Sequence, residues 1–169
     1  ALLWAKKHIQ NAEIYKQNAA ADQEKLLFSL LKTAENTLFG KEHNFEEIQS
    51  VRDFQEKVLV SDYEDLKLYI ERIKNGEKDI LWTSLPEYFA KTSGTTSGAK
   101  YIPISKEGMP YQIAAAQSAI FHYIAQKGNA DFVAGKMIFL QGSPELEEIN
   151  GIKTGRLSGC LLYTSDAAD

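Results

Sequence analysis

The sequence predicts an α/β domain, with α+β as the alternative class. Three observations predict it. Stretches with helical apolar periodicity fill the N-terminal part. Two β-prone segments, "LPEYFAKT" and "YIPI", then flank Thr92–Ala99, a run of eight small residues. A further helical stretch and the apolar "KMIFLQG" follow, so the order is helices, β–loop–β, helix, strand. It reads as a domain whose sheet is not completed within the chain.

Residues 1–38 read as helical, with Leu27, Leu30, Leu31, Ala34 and Leu38 on one face and Asp22 as an N-cap. "TLFGKEHNF" reads as a loop hinged at Gly40. Ser50 and Asp53 have capping spacing and open a short helix carrying Val51, Phe54 and Val58. "SDYEDLKLYIERIKNG" is the clearest helix. Ser61 and Glu64 are its expected capping box, Leu66, Ile70 and Ile73 its buried stripe, and Asn75-Gly76 its left-handed stop. Pro103 marks "YIPI" as an edge strand, because proline cannot donate to a ladder. Ser105 is the expected cap of a helix over 109–126, with Ile113, Ala116, Ile120 and Ile124 as its core stripe and Lys127-Gly128-Asn129 as its end. "KMIFLQG" is expected to be a buried strand, and "SPELEEINGIKTGRLSG" turns around short structure.

The 169 residues suit about one domain, and 44% hydrophobic with 25% charged residues is an ordinary globular composition. The net charge of −4 and the lack of a basic run argue against electrostatic capture of nucleic acid or an anionic membrane. No apolar run approaches the roughly 18–20 residues of a membrane span. The N-terminus lacks signal-peptide order and an initiator Met, so the chain is read as cytoplasmic, with its native start missing. The single cysteine, Cys160, can form neither an internal disulfide nor a cysteine-rich metal site. It opens "CLLYTSDAAD", which matches the translation of a shotgun-library adapter; residues 160–169 are therefore read as non-native.

The run around Thr92–Ala99 carries the chemistry. Gly94 and Gly98 open backbone conformations that let a ligand approach and let successive N–H groups converge into an anion nest. Ser93, Thr95, Thr96 and Ser97 add hydroxyl donors, and Lys91 and Lys100 flank the run with positive charge. Each hydrogen bond involving a charged partner contributes about 1.5–3 kcal/mol, so several can hold a triphosphate. This is not a Walker loop. Counted from Gly94, the second glycine falls on Ala99, Lys100 precedes Tyr101 rather than Ser or Thr, and a strand follows where that loop opens a helix. The competing reading is a flexible Ser/Gly/Thr connector.

"KTSGTTSGAKYIP" resembles the phosphate-binding signature of adenylate-forming enzymes. Together with "NTLFGKEHNF", "VRDFQEKVLVSDYEDLKLYIERIKNGE" and "FLQGSPELEEINGIKTGRLSG", in that order and spacing, the chain more narrowly resembles the auxin-responsive GH-three family of acyl acid–amido synthetases. The resemblance implies that residues 1–159 are an incomplete N-terminal adenylation-type domain. It implies ATP and Mg²⁺, a small-molecule carboxylic acid activated as an acyl-adenylate, and an amino acid whose amine takes the acyl group. It places Ser93, Gly94, Thr95, Thr96, Ser97 and Gly98 around the β- and γ-phosphates, with Lys100 adding catalytic charge stabilisation. The family's nucleotide- and acyl-orienting motifs fall beyond residue 159, so the chain by itself is expected to be inactive.

The other candidates are weaker. His43 reads as a surface or hydrogen-bonding residue rather than a ligand or base. His8 and His122 lie on helices without a carboxylate or cysteine cluster, so no metal site is assigned. Glu145, Glu147 and Glu148 read as a solvated acidic face, with Mg²⁺ binding the alternative. Tyr111, Phe121 and Tyr123 read as packing, with an acyl pocket the alternative, and Arg156 carries no assignment. Two further functions remain beside amide synthesis: an acyl-CoA ligase, and a non-catalytic scaffolding domain with a flexible loop.

Overall fold

A computed structural model of the chain describes residues 1–92, 98–136 and 146–156. Strands β1 (Tyr88–Lys91) and β2 (Tyr101–Ile104) pair antiparallel, with Tyr88 opposite Ile104 and Lys91 opposite Tyr101. Strands β3 (Glu147–Ile149) and β4 (Ile152–Gly155) form a hairpin. Its two-residue turn is Asn150-Gly151, both at positive φ, which matches the twist of the flanking strands. Strand β4 runs parallel to β1, giving the order β2-β1-β4-β3. Pro103 does sit on an edge strand.

The described residues also form five α-helices: α1 (Leu2–Ala34), α2 (Leu38–Glu42), α3 (Val51–Lys57), α4 (Tyr63–Lys74) and α5 (Met109–Lys127). The mixed architecture is the expected α/β class. No described helix is long and apolar enough to cross a membrane.

Alternation along β1 divides the core between the two sheet faces. Phe89 points to one side, into a cluster with Ile70 and Ile73 of α4, Ile80 and Ile152. Tyr88 and Ala90 point to the other, against Ile104 and Met109. Phe89 is fully enclosed, which contributes about 1.5–3 kcal/mol of burial free energy.

Several local expectations hold. The Ser50 hydroxyl accepts from the Asp53 N–H at 3.0 Å and caps α3. Gly76 and Gly128 take the left-handed conformation at the ends of α4 and α5. Others need correction. Helix α1 runs unbroken through Asp22, because no breaker interrupts it. Of its expected stripe, Leu31 and Ala34 are buried while Leu30 is exposed. The capping box of α4 is one residue later than expected: Asp62 takes the N–H groups of Glu64 and Asp65, and Asp65 takes that of Asp62. Ser105 caps the turn before α5, accepting from the Gly108 N–H at 3.0 Å, while Gly108 itself is the N-cap. On α5 only Ile124 of the expected stripe is buried; Ile113 is half-buried, and Ala116 and Ile120 are exposed. The strand expected in "KMIFLQG" lies outside the described residues from Met137 onward.

The segment read as a loop at Gly40 is a helix instead. Thr37, buried, caps α2 by accepting from the Gly40 N–H at 3.0 Å and donates to the Ala34 carbonyl at 2.7 Å. The Leu38 and Phe39 N–H groups, which have no partner within α2, donate to the carbonyls of Asp79 and Ile80. Gly40 is therefore a close-packing point rather than a hinge. A Cβ there would sit 2.1 Å from the Ala34 carbonyl oxygen.

Candidate phosphate-binding site

The β1–β2 pair continues one hydrogen bond beyond its last strand residues: the Thr92 N–H donates to the Lys100 carbonyl at 2.9 Å. That bond closes the root of the 93–99 segment. Of the expected phosphate-binding residues, Ser93, Gly94, Thr95, Thr96 and Ser97 lie outside the described residues, and Gly98 and Lys100 lie within them. Gly98 has φ +83° with open space around it, so conformation rather than crowding favours glycine there.

Lys100 leads directly into β2. Its ammonium lies over the Tyr63 ring, 5.2 Å from the centroid, and no carboxylate among the described residues pairs with it. Such a contact contributes about 0.5–1 kcal/mol at an exposed site, enough to bias the side chain without trapping it. The same tyrosine reaches the backbone: its hydroxyl accepts from the Tyr101 N–H at 2.9 Å. Tyr101 in turn carries the Lys74 ammonium over its ring at 4.6 Å. A cation that no described carboxylate pairs with thus stands beside the Thr92–Lys100 hydrogen bond.

Lys91 differs. Its ammonium lies 3.0 Å from each carboxylate oxygen of Glu147 on β3. That hydrogen bond holds the Lys91 pKa above 10.5, with the Glu147 charge adding to it. Of the two lysines expected to flank the run with positive charge, Lys91 is therefore paired with Glu147, and Lys100 pairs with no described carboxylate. Glu147 is likewise no idle acidic face. Glu148 is exposed, and Glu145 lies outside the described residues.

Beside the loop root lies a cleft of about 650 Å³ lined by residues of both β1 and β2. Trp82, Ile102, Ile104, Gln112, Thr92 and Arg156 line it. The Glu107 backbone N–H, then the Trp82 indole N–H donating at 3.2 Å, hold the Glu107 carboxyl below its usual 4.5. Tyr111, Phe121 and Tyr123 do not line this cleft. Phe121 packs against His8, and Tyr123 against Phe132. His43 accords with its hydrogen-bonding reading: Nδ1 lies 2.8 Å from the Phe39 carbonyl, which can only accept, and the ring stacks on Phe39. His8 and His122 approach with ring centroids 5.4 Å apart, yet no group of three His, Cys, Asp or Glu among the described residues could hold a metal.

Tyr63 is the site residue that sequence reading missed. The signal was present: 63, 66, 70 and 73 continue one helical stripe, so the ring belonged with Leu66, Ile70 and Ile73. Its hydroxyl partner could not be seen from spacing.

A family model described as "GH3 family N-terminal domain" matches residues 8–168. The chain belongs to the GH3 family. Among curated GH3 relatives, "Indole-3-acetic acid-amido synthetase GH3.2" of Arabidopsis thaliana is 35% identical over 95 residues, which are 55% of this chain and 17% of that protein. "Probable indole-3-acetic acid-amido synthetase GH3.13" of Oryza sativa subsp. japonica is 33% identical over 105 residues, 56% of this chain and 22% of that protein. This GH3 chain therefore spans only about a fifth of each relative's length. A solved structure, "AtGH3.15 acyl acid amido synthetase in complex with 2,4-DB", superposes with a TM-score of 0.82 at 23% identity, over 94% of this chain and 28% of that one. That likeness establishes the GH3 fold for the described elements.

Proposed function

We propose that this GH3 chain is the N-terminal part of a cytoplasmic, ATP-dependent acyl acid–amido synthetase. The observation that carries the proposal is Lys100 at the end of the paired β1 and β2 strands, a cation no described carboxylate neutralises, beside the Thr92–Lys100 hydrogen bond. Family membership supplies the reaction class. ATP suits this donor set, because a polyanion calls for backbone donors and an available ammonium. Gly98 and Lys100, with Ser93, Gly94, Thr95, Thr96 and Ser97, are proposed to hold its β- and γ-phosphates. Mg²⁺ is proposed to enter with the triphosphate, whose oxygens supply much of its coordination. The described carboxylates do not form a site for it.

In this reading the acid's carboxylate oxygen attacks the α-phosphorus, and pyrophosphate leaves as the acyl-adenylate forms. The amino acid's amine nitrogen then attacks the acyl carbonyl; AMP leaves, a proton is lost and the amide remains. Lys100 offsets the charge that grows on departing pyrophosphate. The chain alone, without the later part of its relatives' length, is proposed to be inactive.

The full-length protein tests this. AMP formation that requires both an acid and an amino acid supports amide synthesis; AMP formation that requires CoA instead supports the ligase. Lys100→Ala should raise the KM for ATP about tenfold or more while the fold persists, since a charge-assisted contact is lost. ATP use equal to wild type in that variant removes the assigned role.

A further inference from the structure

One peptide unit, joining Lys100 to Tyr101, is held from both sides. Its carbonyl accepts from the Thr92 N–H, and its N–H donates to the Tyr63 hydroxyl. Strand β2 is at the sheet edge, so this outward N–H has no strand to pair with, and Tyr63 supplies the acceptor. The same side chain then takes the Lys100 ammonium on its ring. Tyr63, at the first turn of α4, thus contacts both the backbone beside Lys100 and the Lys100 side chain.

We propose that Tyr63 is a positioning residue for Lys100, holding its ammonium for a nucleotide's terminal phosphates. This rests on the nucleotide reading above. A free lysine loses considerable rotamer freedom when it binds, and a ring that already restricts it lowers that cost. The ring occupies one side of the ammonium. Its remaining N–H donors stay open to phosphate oxygens, so the aromatic contact and the phosphate contact do not compete.

The test uses the full-length protein with ATP binding by titration calorimetry and steady-state KM for the acid. Tyr63→Phe keeps the ring and loses the hydroxyl; it should weaken ATP binding about threefold. Tyr63→Leu loses both and should weaken it about tenfold. The acid KM should stay within about twofold in each, which a general loss of structure would not leave unchanged. In a Lys100→Ala background the gap between the two Tyr63 variants should close, because the ring then has no ammonium to hold. Wild-type affinity in both variants, tighter binding in Tyr63→Leu, parallel loss of acid binding, or a persisting gap without Lys100 overturns the proposal. If the wild type binds no ATP, the nucleotide reading fails by itself. Amide exchange then still judges Tyr63: the Tyr101 N–H should exchange faster in Tyr63→Phe, and an unchanged rate sinks the idea.

Discussion

The ammonium of Lys91 bridges to both carboxylate oxygens of Glu147 at 3.0 Å, although the two residues lie 56 positions apart and β4 runs between their strands. The pair ties the β3–β4 hairpin to the root of the proposed phosphate loop. It also removes one of the two charges that the sequence offered there.

Lys91→Ala should therefore matter less to nucleotide use than Lys100→Ala. Both side chains of the pair are partly exposed, and such ion pairs contribute about 0–1 kcal/mol. Steady-state assays on the full-length protein should show a rise in ATP KM of under about threefold for Lys91→Ala, against about tenfold for Lys100→Ala. A larger penalty at position 91 would mean that Lys91 leaves Glu147 for the phosphates.

Thr37 should be sensitive to loss of its hydroxyl. Thr37→Val keeps the shape but removes the acceptor of the Gly40 N–H and the donor to Ala34, in a buried setting. The expected destabilisation is about 1–3 kcal/mol by chemical denaturation, with Thr37→Ser largely sparing it. Equal midpoints for Val and wild type would refute the capping account.

Gly40→Ala should be costly for a different reason. The new methyl meets a backbone carbonyl oxygen at 2.1 Å, which cannot rotate aside as a side chain can. A loss of about 1–3 kcal/mol is expected. Gly76→Ala meets nothing within 4 Å, so its cost comes from the left-handed backbone alone. Ranking the two melting temperatures checks this; Gly76→Ala should be the milder.

Acid should erode stability through identified carboxylates. The Gln49 N–H and the Ser50 hydroxyl hold the Asp53 carboxyl below 3.8, and the Arg72 guanidinium holds that of Glu77 below 4.5. Each group takes up a proton less readily in the folded state. Its contribution is present above the unfolded value and is lost as pH falls through the lower folded one. Lys91 has the opposite sign: its contribution is complete below 10.5 and is lost only as pH rises through its raised value. Melting temperatures measured from about pH 7 down to pH 3 should fall less steeply for a Asp53→Asn, Glu77→Gln double variant than for wild type. An identical slope would show that neither carboxylate contributes.

What the sequence by itself determined was whatever a few neighbouring residues decide. The Ser50 cap, the glycine stops at Gly76 and Gly128, the edge position of Pro103 and the β–loop–β unit all depend on backbone preferences within one turn or strand. The resemblance of the small-residue run to a phosphate-binding signature also required no coordinates. The Asn150-Gly151 turn belonged to this class too; the segment was expected as turns around short structure, and the hairpin strands on either side were not foreseen. Only the tertiary structure decided the rest. That Gly40 is a packing point depends on the carbonyl of Ala34 and on Asp79 and Ile80, which close the N-terminus of α2. Exposure along α5 depends on what packs against it, not on its periodicity. The contrast between Lys91 and Lys100 depends on Glu147 and Tyr63, distant in sequence and adjacent in space. A lysine's charge is written in its chemistry. Whether that charge is available to a ligand is settled by which long-range neighbour reaches it first.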